Sequence, residues 1–164
     1  MKIVFVGISG SGKTTLARKY AQLVDVPLLH LDSLYWSTDW KQNSNDYVRN
    51  SLIAFIKTHE EFVIEGFISH DFSAALDAAD KIIYLDVSGI HAGVNVVRRW
   101  VKYYGNNRPE LPAGCNESPS FTFMKMTLLR QESPDLENTL TPYQHKISRL
   151  TTRSQVKAFL ASCC

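Results

Sequence analysis

The stretch Gly7-Ile8-Ser9-Gly10-Ser11-Gly12-Lys13-Thr14 constrains this chain more than any other. It follows an apolar run, Ile3-Val4-Phe5-Val6, and precedes a helical pattern, Leu16-Ala17-Arg18-Lys19-Tyr20-Ala21. It fits G-x-x-x-x-G-K-[ST], a phosphate-binding loop, in the strand–loop–helix setting that gives the pattern its meaning. Glycines at 7, 10 and 12 let the backbone turn tightly and approach a phosphate with no Cβ in the way. Backbone N–H groups then face the anion, and the helix that follows adds its positive dipole end. Lys13 has the reach for the β- and γ-phosphates, and the Thr14 hydroxyl can ligate Mg²⁺. The neighbours Ser9, Ser11 and Thr15 complete the cradle. A nucleoside triphosphate with Mg²⁺ is the expected ligand. No Asn-Lys-x-Asp guanine motif is present, so ATP is favoured over GTP.

The rest of the chain alternates short apolar runs with helical periodicity. Strands are expected at Leu28–Leu31, Phe62–Ile64, Ile82–Leu85 and, weakly, His145–Leu150. Helices are expected from Lys13 to Val24, after the N-cap Ser44, around Phe72–Ala79, and through Ile90, Val94, Val97 and Val101, an apolar stripe at i, i+4, i+7, i+11. Ser118-Pro119 reads as an N-cap and N1 proline opening a helix to about Arg130. Residues 33–40 read as an aromatic loop, and 105–119 as a loop or small lid. The segment between Pro134 and Pro142 carries no clear pattern. Thr152-Arg153-Ser154-Gln155 is a capping box for the last helix. Alternation of this kind implies parallel βαβ units and an α/β fold.

At 164 residues, one domain spanning 1–164 is the simplest reading. The net charge of +2 gives no firm argument for a nucleic-acid partner. No apolar run reaches membrane-spanning length, and the N-terminus lacks a cleavable signal pattern, so the cytoplasm is the default location. Three cysteines make neither a disulfide framework nor a four-ligand zinc site. The terminal Cys163-Cys164 pair reads as an exposed tail before it reads as a lipid-attachment signal, because no polybasic segment precedes it. The oligomeric state is not readable from these features.

In an open parallel sheet the ligand sits at the carboxyl ends of the strands. Three carboxylates lie there: Asp32, Glu65 and Asp86. Each has the chemistry to hold Mg²⁺ or take a proton. Asp32 adjoins the aromatic loop and is assigned to an acceptor, to orient its hydroxyl and accept its proton. Glu65 is the first choice for metal support and Asp86 the second. Arg98, Arg99, Lys102 and Arg108 form a basic cluster beside the glycine- and proline-rich segment. Guanidinium groups there would steady a transferred phosphoryl group. Arg98 and Arg99 point about 100° apart on a helix, so only one of them can face the site. His30, Tyr35, Trp36 and Trp40 flank the acceptor side. The aromatic rings suit stacking on a base or an apolar substrate; His30 reads more readily as a packed strand residue.

These residues resemble the adenylate-kinase-like branch of the P-loop kinases, and within it the group known as topology modulation proteins. The resemblance rests on residues 7–15, on His30-Leu31-Asp32-Ser33-Leu34-Tyr35-Trp36, on Glu65-Gly66, and on Ile83-Tyr84-Leu85-Asp86. It continues in Arg98-Arg99, Arg108-Pro109-Glu110, Gly114-Cys115-Asn116-Glu117 and the stretch from Lys146 to Leu160. It implies a P-loop NTPase three-layer fold: a five-stranded parallel sheet flanked by helices, with a small lid. It also implies Glu65 as the Mg²⁺-supporting acid, Arg98 or Arg99 on the phosphates, and Thr151-Thr152-Arg153 near the adenine. The group usually has Asp-Gly, often followed by Asn-Tyr-Ser, after strand three; this chain has Glu65-Gly66-Phe67-Ile68-Ser69. The expected function is transfer of the γ-phosphoryl group of MgATP to a nucleotide or other small molecule. The alternatives are a nucleotide-dependent regulatory protein and a slow ATPase.

Overall fold

The computed structural model describes residues 1–162. Cys163 and Cys164 lie outside the described residues. A five-stranded sheet forms the middle layer, from β1 (Lys2–Gly7), β2 (Leu28–His30), β5 (Phe62–Glu65), β6 (Lys81–Leu85) and β7 (Ile147–Leu150), in the order β2-β5-β1-β6-β7. Every pairing is parallel, with Val4 opposite Ile64 and Ile82, and Ile83 opposite Ser148. The β1 strand, Ile3-Val4-Phe5-Val6, is central and buried on both faces, which is why it reads as an unbroken apolar run.

Period-two alternation sorts the strand residues to two sides. Val4, Val6, Ile64, Ile82 and Tyr84 face one helical layer. That layer is α3 (Asn45–Thr58), α4 (Ala74–Ala78) and α7 (Ser133–Leu140), which contribute Val48, Leu52, Leu76, Leu136 and Leu140. Ile3, Phe5, Val63 and Ile83 face α1 (Lys13–Val24) and α8 (Arg153–Ala161) through Leu16, Tyr20 and Phe159. The Phe5, Tyr20 and Phe159 rings lie 5.6–6.0 Å apart, a three-ring cluster joining β1, α1 and α8. Side chains at the centre of these layers, such as Leu52, are fully buried, so truncation to alanine costs about 2–5 kcal/mol.

The caps at Ser44 and Thr152 sit where the sequence puts them, and a third, Ser88, appears only in the structure. The Ser44 hydroxyl accepts from the Tyr47 amide, the Ser88 hydroxyl caps α5 (Gly89–Tyr103), and Thr152 with Gln155 makes the complete capping box of α8. Each such cap contributes about 1 kcal/mol. Elsewhere the structure corrects the sequence. Residues 33–40 are not a loop: α2 (Leu31–Tyr35) follows β2 directly, and a small hairpin of β3 (Trp36–Ser37) and β4 (Lys41–Gln42) follows that. The helix expected from Ser118 is α6 (Phe121–Leu128), and its N-cap is Ser120, not Ser118. The patternless stretch is α7 plus a 3-10 turn over Thr141–Lys146.

The largest correction is α5. Its apolar stripe faces solvent, with Ile90 75% and Val101 78% exposed. The buried side is the small-residue side, Gly89, Ala92, Gly93 and Val96. A Cβ on Gly89 would lie 2.0 Å from the Leu128 carbonyl oxygen, so α6 packs against α5 too closely for larger residues. No helix among the described residues is long and apolar enough to cross a membrane.

Candidate functional site

The phosphate loop spans the turn between β1 and α1. Gly12 is the N-cap of α1 at φ 96°, and no side chain caps this helix. Its first N–H groups are therefore left to a ligand, the arrangement that favours an anion. Gly10 is the tightest point: at φ 77°, an added Cβ would sit 2.4 Å from the Ala92 carbonyl oxygen of α5. Asn95 on the same helix donates its amide to the Gly10 carbonyl at 2.9 Å, clamping the loop in place. Lys13 is buried, and its ammonium makes one long hydrogen bond, 3.4 Å, to the Ile8 carbonyl. A buried lysine so thinly satisfied, beside uncapped helix amides, fits a polyphosphate.

Glu65 ends β5 directly beside the loop. The Thr14 hydroxyl donates to its Oε2 at 3.0 Å, and His30 Nδ1 lies 2.6 Å from its Oε1. Burial alone would raise the Glu65 pKa, but the His30 and Thr14 hydrogen bonds and the Lys13 charge outweigh it and hold the carboxyl below its usual range. Two hard oxygen donors, Thr14 and Glu65, thus meet at the mouth of the phosphate loop. That donor set fits Mg²⁺, which takes one or two protein oxygens and completes its shell with phosphate and water.

Asp32 lies on the other side of Lys13, in the first turn of α2. Burial is the main force on it and raises its pKa; the Glu65 charge adds to the rise, and Lys13, Arg108 and Arg99 oppose it. Both carboxylates line up along the strand ends, and their environments push them in opposite directions. A carboxylate held high is the better proton acceptor.

The arginines settle the helix-face question. Arg99 is half-buried and turned inward, with Nε 3.2 Å from Glu117 Oε1. Arg98 is exposed, at the rim of the cleft. Arg108 Nε lies 2.5 Å from the same Glu117 oxygen, and its Nη1 lies 3.4 Å from Glu110. The two guanidinium groups share one carboxylate oxygen by proximity of charge; neither Nε has an aligned hydrogen-bond acceptor. Burial and the neighbouring Arg108 charge press the Arg99 pKa down. Glu110 also pairs with Arg18 of α1 at 3.2 Å. Segment 105–119 is thereby tied to both α1 and α5.

All of this opens into one cleft of about 1200 Å³. Residues 9–15 line one end, together with Arg153 at the start of α8. Tyr35, Trp36 and Trp40 line the other, and their rings pack edge to face, Tyr35–Trp36 at 5.3 Å and Trp36–Trp40 at 5.4 Å. Four expected residues lie outside the cleft wall: Gly7, Glu65, His30 and Asp86, with Glu65 reaching the wall only through its hydrogen bond to Thr14. His30 is not in the cleft wall; its ring is committed to Glu65 from behind. Asp86 is not in the wall either; it is held between Arg130 and Arg149, an ion-pair role. Among the described residues no group of three or more His, Cys, Asp or Glu makes a metal cage.

One site residue carried no sequence signal. Glu132, just before α7, reaches back across the chain to the phosphate loop. The Ser9 amide donates to its Oε2 at 2.6 Å and the Ser9 hydroxyl to its Oε1 at 2.9 Å. A carboxylate therefore sits on the loop that is shaped for phosphate.

The sheet order, the loop and the flanking helices make a P-loop NTPase three-layer fold. Among solved structures the chain matches a provisionally named kinase from Chloroflexus aurantiacus, with a TM-score of 0.63 and 17% identity over 98% of this chain and 94% of the other. It matches an unliganded sugar kinase from Janibacter sp. at 0.61 and 16%, over 98% and 90%. It also matches deoxyadenosine kinase from M. mycoides, solved with dCMP and dCDP, at 0.58 and 15%, over 99% and 98%. No family model and no curated protein matches the sequence.

Proposed function

We propose that this chain is an ATP-dependent kinase of the adenylate-kinase-like branch, in the topology modulation group, acting on a small-molecule acceptor. One observation carries the reading: a single cleft is lined at one end by the phosphate loop, with Thr14 in its wall and Glu65 hydrogen-bonded behind it, and at the other by a separate carboxylate, Asp32, beside an aromatic wall. A site that only binds nucleotide has no use for the second end. The uncapped amides of α1 and Lys13 hold the triphosphate, and Arg153 with Thr151 and Thr152 lies toward the base. Thr14 and Glu65 hold Mg²⁺, which when bound neutralises charge on the β- and γ-oxygens. Asp32 orients the acceptor hydroxyl and takes its proton. Arg99 and Arg108 flank the transferred group, and residues 105–119 act as the lid that excludes water.

The test is transfer of labelled γ-phosphate from MgATP to a panel of nucleosides, nucleoside monophosphates and hydroxylated metabolites, with Lys13→Ala as the blank. A labelled product made only by the intact protein supports the reading. Tight ATP binding with no acceptor above the blank overturns it. That result would favour a nucleotide-controlled regulatory protein, the reading that the Glu132–Ser9 contact supports, since a carboxylate on the phosphate loop must give way when nucleotide arrives.

A further inference from the structure

Charge is distributed unevenly around the cleft. The wall opposite the phosphate loop comes from α2, the hairpin, the start of α3 and residues 67–72. Its lining carries no lysine or arginine at all among the described residues. It presents Tyr35, Trp36, Phe67 and Phe72, with Asn45 and Ser69, and its two ionisable groups are the carboxylates Asp32 and Asp71. The Asn45 amide donates to Asp71 Oδ2 at 3.4 Å, a long contact that leaves the carboxylate free to take another donor. Tyr35 stands edge to face with both Trp36 and Phe72, at 5.3 and 6.3 Å, so the rings form a continuous apolar surface.

The cations nearest this wall are already matched. Arg99 and Arg108 face the carboxylates of Glu110, Glu117 and Asp32, all in or bordering the same partly buried space. Glu117 is 4% exposed and Glu110 9%, so these carboxylates already offset much of the arginine charge, and what is left serves the one transferred phosphoryl group. A phosphomonoester carries close to two negative charges and is held by arginine or lysine wherever it is bound tightly. On this wall it would meet the carboxylates Asp32 and Asp71 and no lysine or arginine among the described residues. An uncharged alcohol meets no such penalty.

We propose that the acceptor is an uncharged nucleoside: its flat base lies against the Tyr35–Trp36–Phe72 wall, and a ribose hydroxyl is presented to Asp32. This rests on the kinase reading above. The acceptor oxygen forms a bond to the γ-phosphorus. The bond from that phosphorus to the β,γ-bridging oxygen breaks, and its electron pair leaves with the nucleoside diphosphate. The hydroxyl proton passes to the Asp32 carboxylate and from there to water. Asp71, with its free acceptor capacity, suits an amino or imino group on the base edge or a second hydroxyl.

Calorimetry tests this in two stages, with the full chain. The first titrates a non-hydrolysable ATP analogue with Mg²⁺. Failure to bind overturns the kinase reading itself, and the acceptor inference falls with it. The second titrates four nucleosides, their 5′-monophosphates and a hexose into the analogue-bound protein. The expected result is one nucleoside bound at least about tenfold more tightly than its own monophosphate. A monophosphate bound equally well or better, a hexose bound in place of every nucleoside, or no second ligand in the analogue-bound protein overturns the inference and leaves nucleotide binding standing. Ser69→Arg places a cation in the wall without touching the catalytic groups. It should shift the preference toward the monophosphate by about tenfold. An unmoved preference in a variant that still binds the ATP analogue places the acceptor elsewhere and overturns the assignment of this wall.

Discussion

The two ends of the cleft are built by different means. The phosphate end is one unbroken stretch, residues 7–15, and what it offers an anion is mostly backbone: uncapped amides at the start of α1 and a turn that glycine alone can make. The aromatic end, where we propose that the acceptor binds, is gathered from separated pieces of chain. Segment 105–119 reaches over to the hairpin, where the Asp39 amide donates to the Ala113 carbonyl at 3.2 Å and the Trp40 indole to the Asn116 carbonyl at 3.2 Å. The buried Cys115 sulfur stands between them, accepting from the Trp40 amide and donating to the Ser37 carbonyl. A phosphate-binding loop can thus travel with a short motif, whereas on the proposed reading the choice of acceptor rests on tertiary contacts and on which side chains they bring together.

Substitution should separate the two ends. The largest effect is expected from Lys13→Ala, which removes the one buried cation of the phosphate loop. Turnover should fall by about a hundredfold to a thousandfold, measured as labelled phosphate transferred. Asp32→Asn strikes the other end. Transfer should fall by about a hundredfold or more, the usual scale for a lost general base, while affinity for the ATP analogue stays the same. Its stability should move the opposite way. Burial raises the Asp32 pKa, so the group stabilises the fold below its ordinary value of 3.8 and loses that contribution as pH rises through the folded-state value. At neutral pH the charged form is a burden, and Asp32→Asn should melt higher than the parent in the absence of ligand. Equal loss of nucleotide binding in both variants would erase the distinction between the ends.

The same division decided what the sequence made legible. Strand positions, the loop and the caps at Ser44 and Thr152 follow local rules, because period-two burial and a hydroxyl reaching its own N–H are short-range facts, whereas the strand order is set by long-range pairing. Asp32 and Glu65 were visible as strand-end acids for the same reason. The inward turn of Arg99 was half legible: helix geometry said that one of two arginines faces the site, and only the position of Glu117 says which. Glu132 was invisible, since its partner is Ser9, 123 residues away. The α5 stripe misled in a different way. Periodicity marks an apolar face but not its burial, and here Gly89 and Gly93 admit α6 so closely that the small side became the inside.

Glu65 sharpens the contrast with Asp32 through pH. Its pKa is held below the ordinary 4.5, so its contribution to stability is present above that value and is lost as pH falls through the lower, folded-state value. The melting temperature of the parent should exceed that of Glu65→Gln at pH 7, and the gap should close as pH drops below 4.5. A gap independent of pH would mean that the His30–Glu65–Thr14 arrangement contributes by packing and not by charge.

A smaller effect is expected at Glu132. Its carboxylate occupies two donors of Ser9, at 2.6 and 2.9 Å, on the rim where a γ-phosphate approaches. Two like charges about 4 Å apart in a solvated rim repel by about 1 kcal/mol, which is roughly a fivefold change in affinity. Glu132→Gln keeps the shape and removes the charge, so it should bind the ATP analogue more tightly by about that factor. Unchanged or weaker binding would show that the Glu132 carboxylate supports the loop and does not compete with the nucleotide.

The smallest effect is the sharpest test of the α5 surprise. Val101, at 78% exposed, makes an apolar stripe with Ile90, but it removes almost none of its surface from water. Val96, one and a half turns earlier, is fully buried against the body of the protein. Substitution at an exposed position away from caps and ion pairs changes stability by no more than about 0.5 kcal/mol. Truncation at a buried valine leaves a cavity and costs on the order of 2 kcal/mol. Val101→Thr and Val96→Ala, compared by urea unfolding, should therefore differ clearly in midpoint, with Val101→Thr close to the parent. If the two lost stability equally, the Val101 face would be covered in solution, and its 3-4 spacing would be the seam of a helix pair.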